Sequence, residues 1–227
     1  MQFWRSFRHW GLWLLFIVPA GMSFGGHAKA TSMEEDLALR TKLESRIAEI
    51  TKNPALQKKM IREGRDRTVL CRTCHGEDGM AVNPLAPNLA GQNPVYIVDQ
   101  FQRFGDGRRN DYLMSNLAMT FSEEDKIKIA LYYSEMKMLK SGGGNLSLLA
   151  AGKQIFQKIC VKCHGADGRG QAGYARLAGQ RYDYVNKMLK EFRDRTGQRT
   201  NLWMSGVAIQ LSDQDMEAVA TYLANLN

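Results

Sequence analysis

The chain has 227 residues, 31 basic and 23 acidic, with a formal net charge of +8 and only four cysteines and four histidines. A modest positive charge, with no basic run interleaved with aromatic residues, gives no reason to expect nucleic acid as a partner. The length allows two small domains.

Arg5 and Arg8 precede an apolar run over residues 11–20, and Ala28-Lys29-Ala30 offers an A-x-A cleavage site. Residues 1–30 therefore read as a secretory signal peptide, the apolar run being too short for a comfortable transmembrane span. An uncleaved anchor is the alternative. Cleavage removes three basic residues, Arg5, Arg8 and Lys29, and no acidic ones, leaving 197 residues with a net charge of +5. The expected location is the periplasm, reached by export.

Residues 31–52 carry Leu39, Leu43, Ile47 and Ile50 at helical spacing, with Glu44, Arg46 and Glu49 between them, which predicts an amphipathic helix. Packing back onto its own domain is the simpler expectation. Docking onto a partner or a membrane surface is the sharper one. Asn53 followed by Pro54 then predicts a capped helix running to about Leu70.

Cys71-Arg72-Thr73-Cys74-His75 comes next, and the same pattern returns 89 residues later as Cys160-Val161-Lys162-Cys163-His164, so that the two copies use every cysteine. C-x-x-C-H is the attachment signature of a c-type haem. Two thiols three positions apart at a helix end can each add to one vinyl group of a porphyrin. The histidine directly after them is then held under the ring with a nitrogen aimed at the iron. A thioredoxin-like pair would need one C-x-x-C beside a βαβ pattern, and a zinc ribbon would place its pairs about 15 to 20 residues apart. Neither predicts a histidine after both pairs. Two disulfides between partners three apart would make a poor framework. The expected cofactors are two covalently bound haem c groups, on Cys71 and Cys74 and on Cys160 and Cys163, with His75 and His164 as iron ligands.

The two halves echo one another beyond these motifs. Leu89-Ala90-Gly91-Gln92 returns as Leu177-Ala178-Gly179-Gln180, Tyr96 as Tyr184, Phe104 as Phe192, Phe121-Ser122-Glu123-Glu124-Asp125 as Leu211-Ser212-Asp213-Gln214-Asp215, and Tyr132 as Tyr222, at offsets of 88 to 90 residues. Such self-similarity means two copies of one domain. The expected boundaries are 53–140 and 146–227, with a flexible Gly-rich linker over 141–145. Middle helices are expected over Val95 to Arg103 and Tyr182 to Arg193, and terminal helices capped by Ser122 and Ser212 over Glu123 to Leu139 and Asp213 to Leu226. With no alternating β pattern, each copy reads as an all-α domain wrapped around a cofactor that supplies much of its core.

His9 and His27 lie in the signal peptide, so a cleaved chain keeps only His75 and His164, both already committed. Methionine is then the usual second axial ligand. Met114 stands seven residues before Phe121 and Met204 seven before Leu211, and of all the methionines only these two superpose across the repeat. Met119 aligns with Ile209, Met136 with Leu226, Met80 with Arg169, Met216 with Lys126 and Met188 with Gln100, and the bland role of such residues is packing. Met114 and Met204, read as lying in loops just before a helix, are the expected ligands. Met119 is the substitute in the first copy.

Taken together, the paired C-x-x-C-H units, the twice-used L-A-G-Q, the methionine seven residues before L-S-D-x-D, and the terminal A-x-Y-L or A-L-Y-Y resemble the cytochrome c4 family, over roughly residues 55 to 227. The resemblance implies two tandem class I cytochrome c domains related by a pseudo-twofold, His/Met ligation at both irons, and periplasmic electron transfer between respiratory partners. In the family a proline before L-A-G-Q offers its carbonyl to the proximal imidazole. Here it is Pro87 in the first copy and Ala175 in the second, so the second haem is expected to differ slightly in potential.

With two protein ligands on each iron and no other catalytic constellation, the chain reads as an electron carrier rather than an enzyme. The alternatives are a haem-bearing subunit of a larger oxidoreductase and, less favoured, a dihaem peroxidase, for which no spare histidine is present. Redox proteins, including a membrane oxidase or dehydrogenase, are the expected partners. Residues 31–145 carry 17 basic and 16 acidic side chains and residues 146–227 carry 11 and 7, which suggests different docking preferences at the two ends.

Overall fold

The computed structural model describes residues 33–195, 199 and 201–227; the expected signal peptide, with His9 and His27, lies outside them. Among the described residues the regular structure is helical, and no strand is formed. Helix α1 (Met33–Thr51) is followed in the first half by α2 (Pro54–Asp66), α3 (Arg72–His75), α4 (Pro94–Gly105), α5 (Tyr112–Thr120) and α6 (Glu123–Ser134). The second half runs α7 (Leu149–Ile155), a π-helical turn (Phe156–Cys160), α8 (Val161–His164), α9 (Tyr182–Asp194), α10 (Leu202–Ala208) and α11 (Asp213–Asn225). Each half closes its own core, one around Val98, Ile127, Leu131 and Tyr133, the other around Phe156, Met216, Val219 and Leu223.

The caps form as the sequence predicts. Asn53 accepts from the Leu56 N–H at 3.1 Å with Pro54 in the first turn, and Ser122 and Ser212 accept from the Asp125 and Asp215 N–H groups, each at 3.1 Å. Helix ends differ more. The helix begun at Asn53 stops at Asp66, short of Leu70, because the Arg67 N–H turns back to the Gly64 carbonyl and the buried Thr68 hydroxyl donates to the Arg65 carbonyl. The terminal helix of the first half stops at Ser134 rather than Leu139, where the Gly91 N–H takes the Tyr133 carbonyl at 2.9 Å. In the second half the Gly179 N–H takes the Leu223 carbonyl at 2.9 Å. The glycine of each L-A-G-Q thus caps the last helix of its own domain.

The apolar stripe of α1 is buried: Leu43, Ile47 and Ile50 pack in the first core, where α1 lies on α4 and α2. That face is consumed within the fold and is not available for docking onto a membrane or partner. Asp36 adds ion pairs of 2.9 Å to both Arg103 and Arg108. Arg40 reaches across to the second half, its guanidinium 4.0 Å from the centre of the Tyr174 ring.

The Gly-rich segment 141–145 is not a loose tether. The Gly142 N–H donates to the Ala224 carbonyl at 2.9 Å, Asn225 donates to the Gly143 carbonyl at 3.1 Å, and the Ser141 hydroxyl donates to the Gly179 carbonyl at 2.8 Å. Gly144, at φ +76°, packs so tightly that a β-carbon there would lie 2.2 Å from the Thr221 hydroxyl oxygen. These glycines serve close approach and left-handed backbone, not length and slack.

The halves meet through reciprocal contacts. Gln92 pairs with the backbone of Arg176, and Gln180 with that of Asn88. Arg109 donates to the Tyr184 hydroxyl at 3.1 Å and Arg199 to the Tyr96 hydroxyl, while Arg109 and Arg199 form an isolated antiparallel bridge. Residues equivalent in the repeat exchange roles, as a pseudo-twofold requires.

Candidate haem sites

Both motifs sit on one-turn helices. Cys71 directly precedes α3 and Cys160 directly precedes α8; Cys74 and Cys163 follow within the turn, and His75 and His164 end it. The glycine after each histidine, Gly76 or Gly165, ends the turn at φ +79°, a backbone conformation that favours glycine. No disulfide joins the four cysteines, all of which are partly buried. Burial pushes the Cys71 thiol above its ordinary range and the Cys160 thiol up to about 11.

The two imidazoles are buried and held alike. His75 Nδ1 lies 2.8 Å from the Pro87 carbonyl and His164 Nδ1 lies 2.8 Å from the Ala175 carbonyl. A carbonyl can only accept, so Nδ1 carries the proton and Nε2 keeps its lone pair. Burial outweighs the carbonyl and lowers the pKa of both histidines, which favours the neutral form. The exchange of Pro87 for Ala175 leaves the length of this bond unchanged. In the second half the Tyr174 ring adds an edge contact to His164, with centroids 6.3 Å apart.

Met114 and Met204 are not in loops. Each is the third residue of a short helix, α5 or α10, of nine and seven residues. Asp111 accepts from the Met114 N–H at 2.9 Å, and Asn201 accepts from the Met204 N–H at 2.9 Å. Both methionines are partly buried against the core of their own half. Met119 lies farther along α5 and is 66% exposed. A cap residue three positions before each methionine was present in the sequence, and that N-cap signal could have revealed both helices.

Among the described residues no group of three His, Cys, Asp or Glu side chains is gathered that could hold a metal ion. No helix among them is long and apolar enough to cross a membrane.

The Cytochrome c family model matches residues 149–227. Cytochrome c4 of Pseudomonas aeruginosa is 35% identical over 178 residues, covering 72% of this chain and 87% of its own. The chain belongs to the cytochrome c4 family. The crystal structure of reduced recombinant cytochrome c4 from Pseudomonas stutzeri superposes with a TM-score of 0.66 at 32% identity, covering 72% of this chain and 97% of that one. A protein named thiosulfate dehydrogenase electron acceptor, from Thiomonas intermedia, is 34% identical over 68% of this chain and 77% of its own. As a cytochrome c4 the chain is a dihaem electron-transfer protein with two covalently bound haem c groups. The residues present fit two such groups: each half holds two unpaired thiols one turn apart beside a buried neutral imidazole whose Nδ1 is committed to a carbonyl.

Proposed function

We propose that the protein is a periplasmic one-electron carrier whose domains, residues 53–140 and 146–227, each hold one haem. Cys71 and Cys74 attach the first and Cys160 and Cys163 the second. His75 and Met114 are the ligands of one iron, His164 and Met204 those of the other. The bound haems supply the one-electron couple, and the chain supplies fixed ligands and an apolar surround. The observation that carries this reading is the matched geometry of the halves: the same 2.8 Å bond from each imidazole to a carbonyl, and a methionine at the third position of a capped helix in each. His75 with Met114 and His164 with Met204 would hold the two irons and leave neither open to substrate, which favours outer-sphere transfer over peroxidase chemistry.

The test is haem content by pyridine haemochrome with ligand-band spectroscopy. The wild-type protein is expected to give two haems per chain and a methionine–iron charge-transfer band in the oxidised far-red spectrum. The paired replacements Cys71→Ala with Cys74→Ala, and Cys160→Ala with Cys163→Ala, are each expected to leave one haem. A single haem in the wild type, or peroxide turnover by the isolated protein, overturns the reading.

The similarity to the Thiomonas protein favours one more specific role, as acceptor of electrons from a dehydrogenase of reduced sulfur compounds. Reduction of the oxidised protein by a thiosulfate dehydrogenase, at a rate that falls with ionic strength, is the expected result. Reduction no faster than with an unrelated monohaem cytochrome overturns it.

A further inference from the structure

We propose that Gln92 and Gln180 are positioning residues that act across the domain interface, each setting the reduction potential of the haem held by the opposite half. The proposal rests on the reading of His75 and His164 as iron ligands.

The carbonyl that orients each imidazole shares its peptide group with the N–H of the next residue. The Pro87 carbonyl accepts from His75 Nδ1 at 2.8 Å, while the Asn88 N–H of that same peptide donates to Gln180 Oε1 at 2.7 Å. Gln180 closes the bracket by donating from Nε2 to the Asn88 carbonyl at 3.1 Å. The second half repeats this with the roles exchanged. The Ala175 carbonyl accepts from His164 Nδ1 at 2.8 Å, the Arg176 N–H donates to Gln92 Oε1 at 2.6 Å, and Gln92 Nε2 donates to the Arg176 carbonyl at 2.9 Å.

Both glutamines are buried, at 4% and 3% exposure, and both are fixed from behind. Gln92 Oε1 also accepts from the Asn93 N–H at 2.9 Å, and Gln180 Oε1 from the Arg181 N–H at 3.1 Å. The amides are thus pre-set in their orientation before they meet the other domain.

Hydrogen bonds in series through one peptide polarise one another. An acceptor on the N–H side makes the carbonyl oxygen richer in electrons, which strengthens its bond to the imidazole Nδ1–H. A more basic imidazole favours the oxidised iron and lowers the potential. Removing the glutamine of one half should therefore raise the potential of the haem in the other.

The two directions are unequal. Asn88 keeps other anchors, donating from Nδ2 to the Ser141 hydroxyl at 2.8 Å and to the Gly179 carbonyl at 3.1 Å and accepting from the Ala81 N–H at 2.8 Å. Arg176 at the equivalent position has, among the described residues, one side-chain hydrogen bond, of 3.2 Å to the Ala178 carbonyl, and Ala175 lacks the proline ring. Gln92 is then the more sensitive lever.

The experiment uses full-length holoprotein carrying Gln180→Leu or Gln92→Leu, titrated redox-potentiometrically while the methyl resonances of each haem are followed separately by proton NMR. Gln180→Leu is expected to favour reduction of the haem at His75 about threefold to tenfold, where tenfold is about 59 mV for one electron, with a smaller change at the haem of its own half. Gln92→Leu is expected to do the same at His164, and by more. Gln180→Asn and Gln92→Asn keep an amide but shorten it by one methylene, so the bond to the opposite peptide is lost and the potential of the opposite haem should again rise; these variants decide the matter if the leucine forms do not assemble. A shift confined to the substituted half, or equal shifts of both haems with either glutamine, overturns the proposal. Failure of the ligand reading itself shows separately, in the wild-type haem count and far-red band.

Discussion

Gly64 meets the carbonyl of Lys128 so closely that a β-carbon on the glycine would stand 2.1 Å from that oxygen. The second half repeats the crossing, with Gly152 against the Ala218 carbonyl at 2.0 Å. In each domain the first and last helices, α2 with α6 and α7 with α11, touch backbone to backbone at this point. Glycine to alanine in an exposed helix gains roughly 1 kcal/mol. Here the neighbour is main chain and cannot swing aside, so overpacking at about 1 to 3 kcal/mol decides the sign. Gly64→Ala and Gly152→Ala are each expected to lower the thermal unfolding temperature of the holoprotein; an unchanged or higher temperature would contradict the close crossing.

Leu43 on α1 is 1% exposed. Leu43→Ala is expected to cost about 2 to 5 kcal/mol, as for a leucine that leaves a cavity in a closed core. Chemical denaturation followed by a probe in the first half checks this. A cost near zero would mean that α1 contributes nothing to that core.

Asp36 joins α1 to two buried arginines, Arg103 and Arg108, which keep second partners in Asp99 and Asp106. Asp36→Ala should therefore cost less than the breaking of an isolated buried pair, about 1 to 3 kcal/mol. Asp106 extends the same cluster to a pH effect. Burial alone would raise its pKa, but hydrogen bonds from Arg108 outweigh it and hold the carboxyl below its ordinary value. A carboxyl lowered in the folded state stabilises fully above its unfolded pKa of about 3.9 and loses that contribution as pH falls through the lower folded value. Between pH 6 and pH 3 the denaturation midpoint of the parent should fall more than that of Asp106→Asn.

Replacement of methionines separates ligand from packing. Met114→Leu and Met204→Leu are each expected to remove about half of the oxidised far-red band, one of two equivalent ligands being lost each time. Met119→Leu, at a side chain 66% exposed, should leave the band intact. The reverse pattern at Met114 and Met119 would move the first ligand five residues along α5.

The two C-x-x-C-H motifs and the repeat around them were legible because each rests on a local rule. Cys71, Cys74 and His75 need only their spacing, and the equivalence of Met114 with Met204 needs only the repeat. Helices α5 and α10 escaped because seven to nine residues with methionine, asparagine and serine give little periodicity, and their start lies in the Asp111 and Asn201 caps. The reach of α2 was overdrawn because its end depends on where the Thr68 hydroxyl turns, a choice that no propensity records. Segment 141–145 was misread as slack because triple glycine is equally the signature of a linker and of tight packing, and only Thr221 and Tyr182 beside Gly144 distinguish the two.

The sequence by itself determined two haem-binding copies of one helical domain and their order, since both follow from chemistry repeated along one chain. How the copies face each other belongs to the tertiary structure. L-A-G-Q is visible twice as text, yet its parts act at different ranges: the alanine is buried and the glycine caps its own domain, while the glutamine reaches the peptide that holds the other domain's histidine. A hydrogen bond between residues some 84 to 92 positions apart leaves no local periodicity to read, and it exists only once both domains have folded and met.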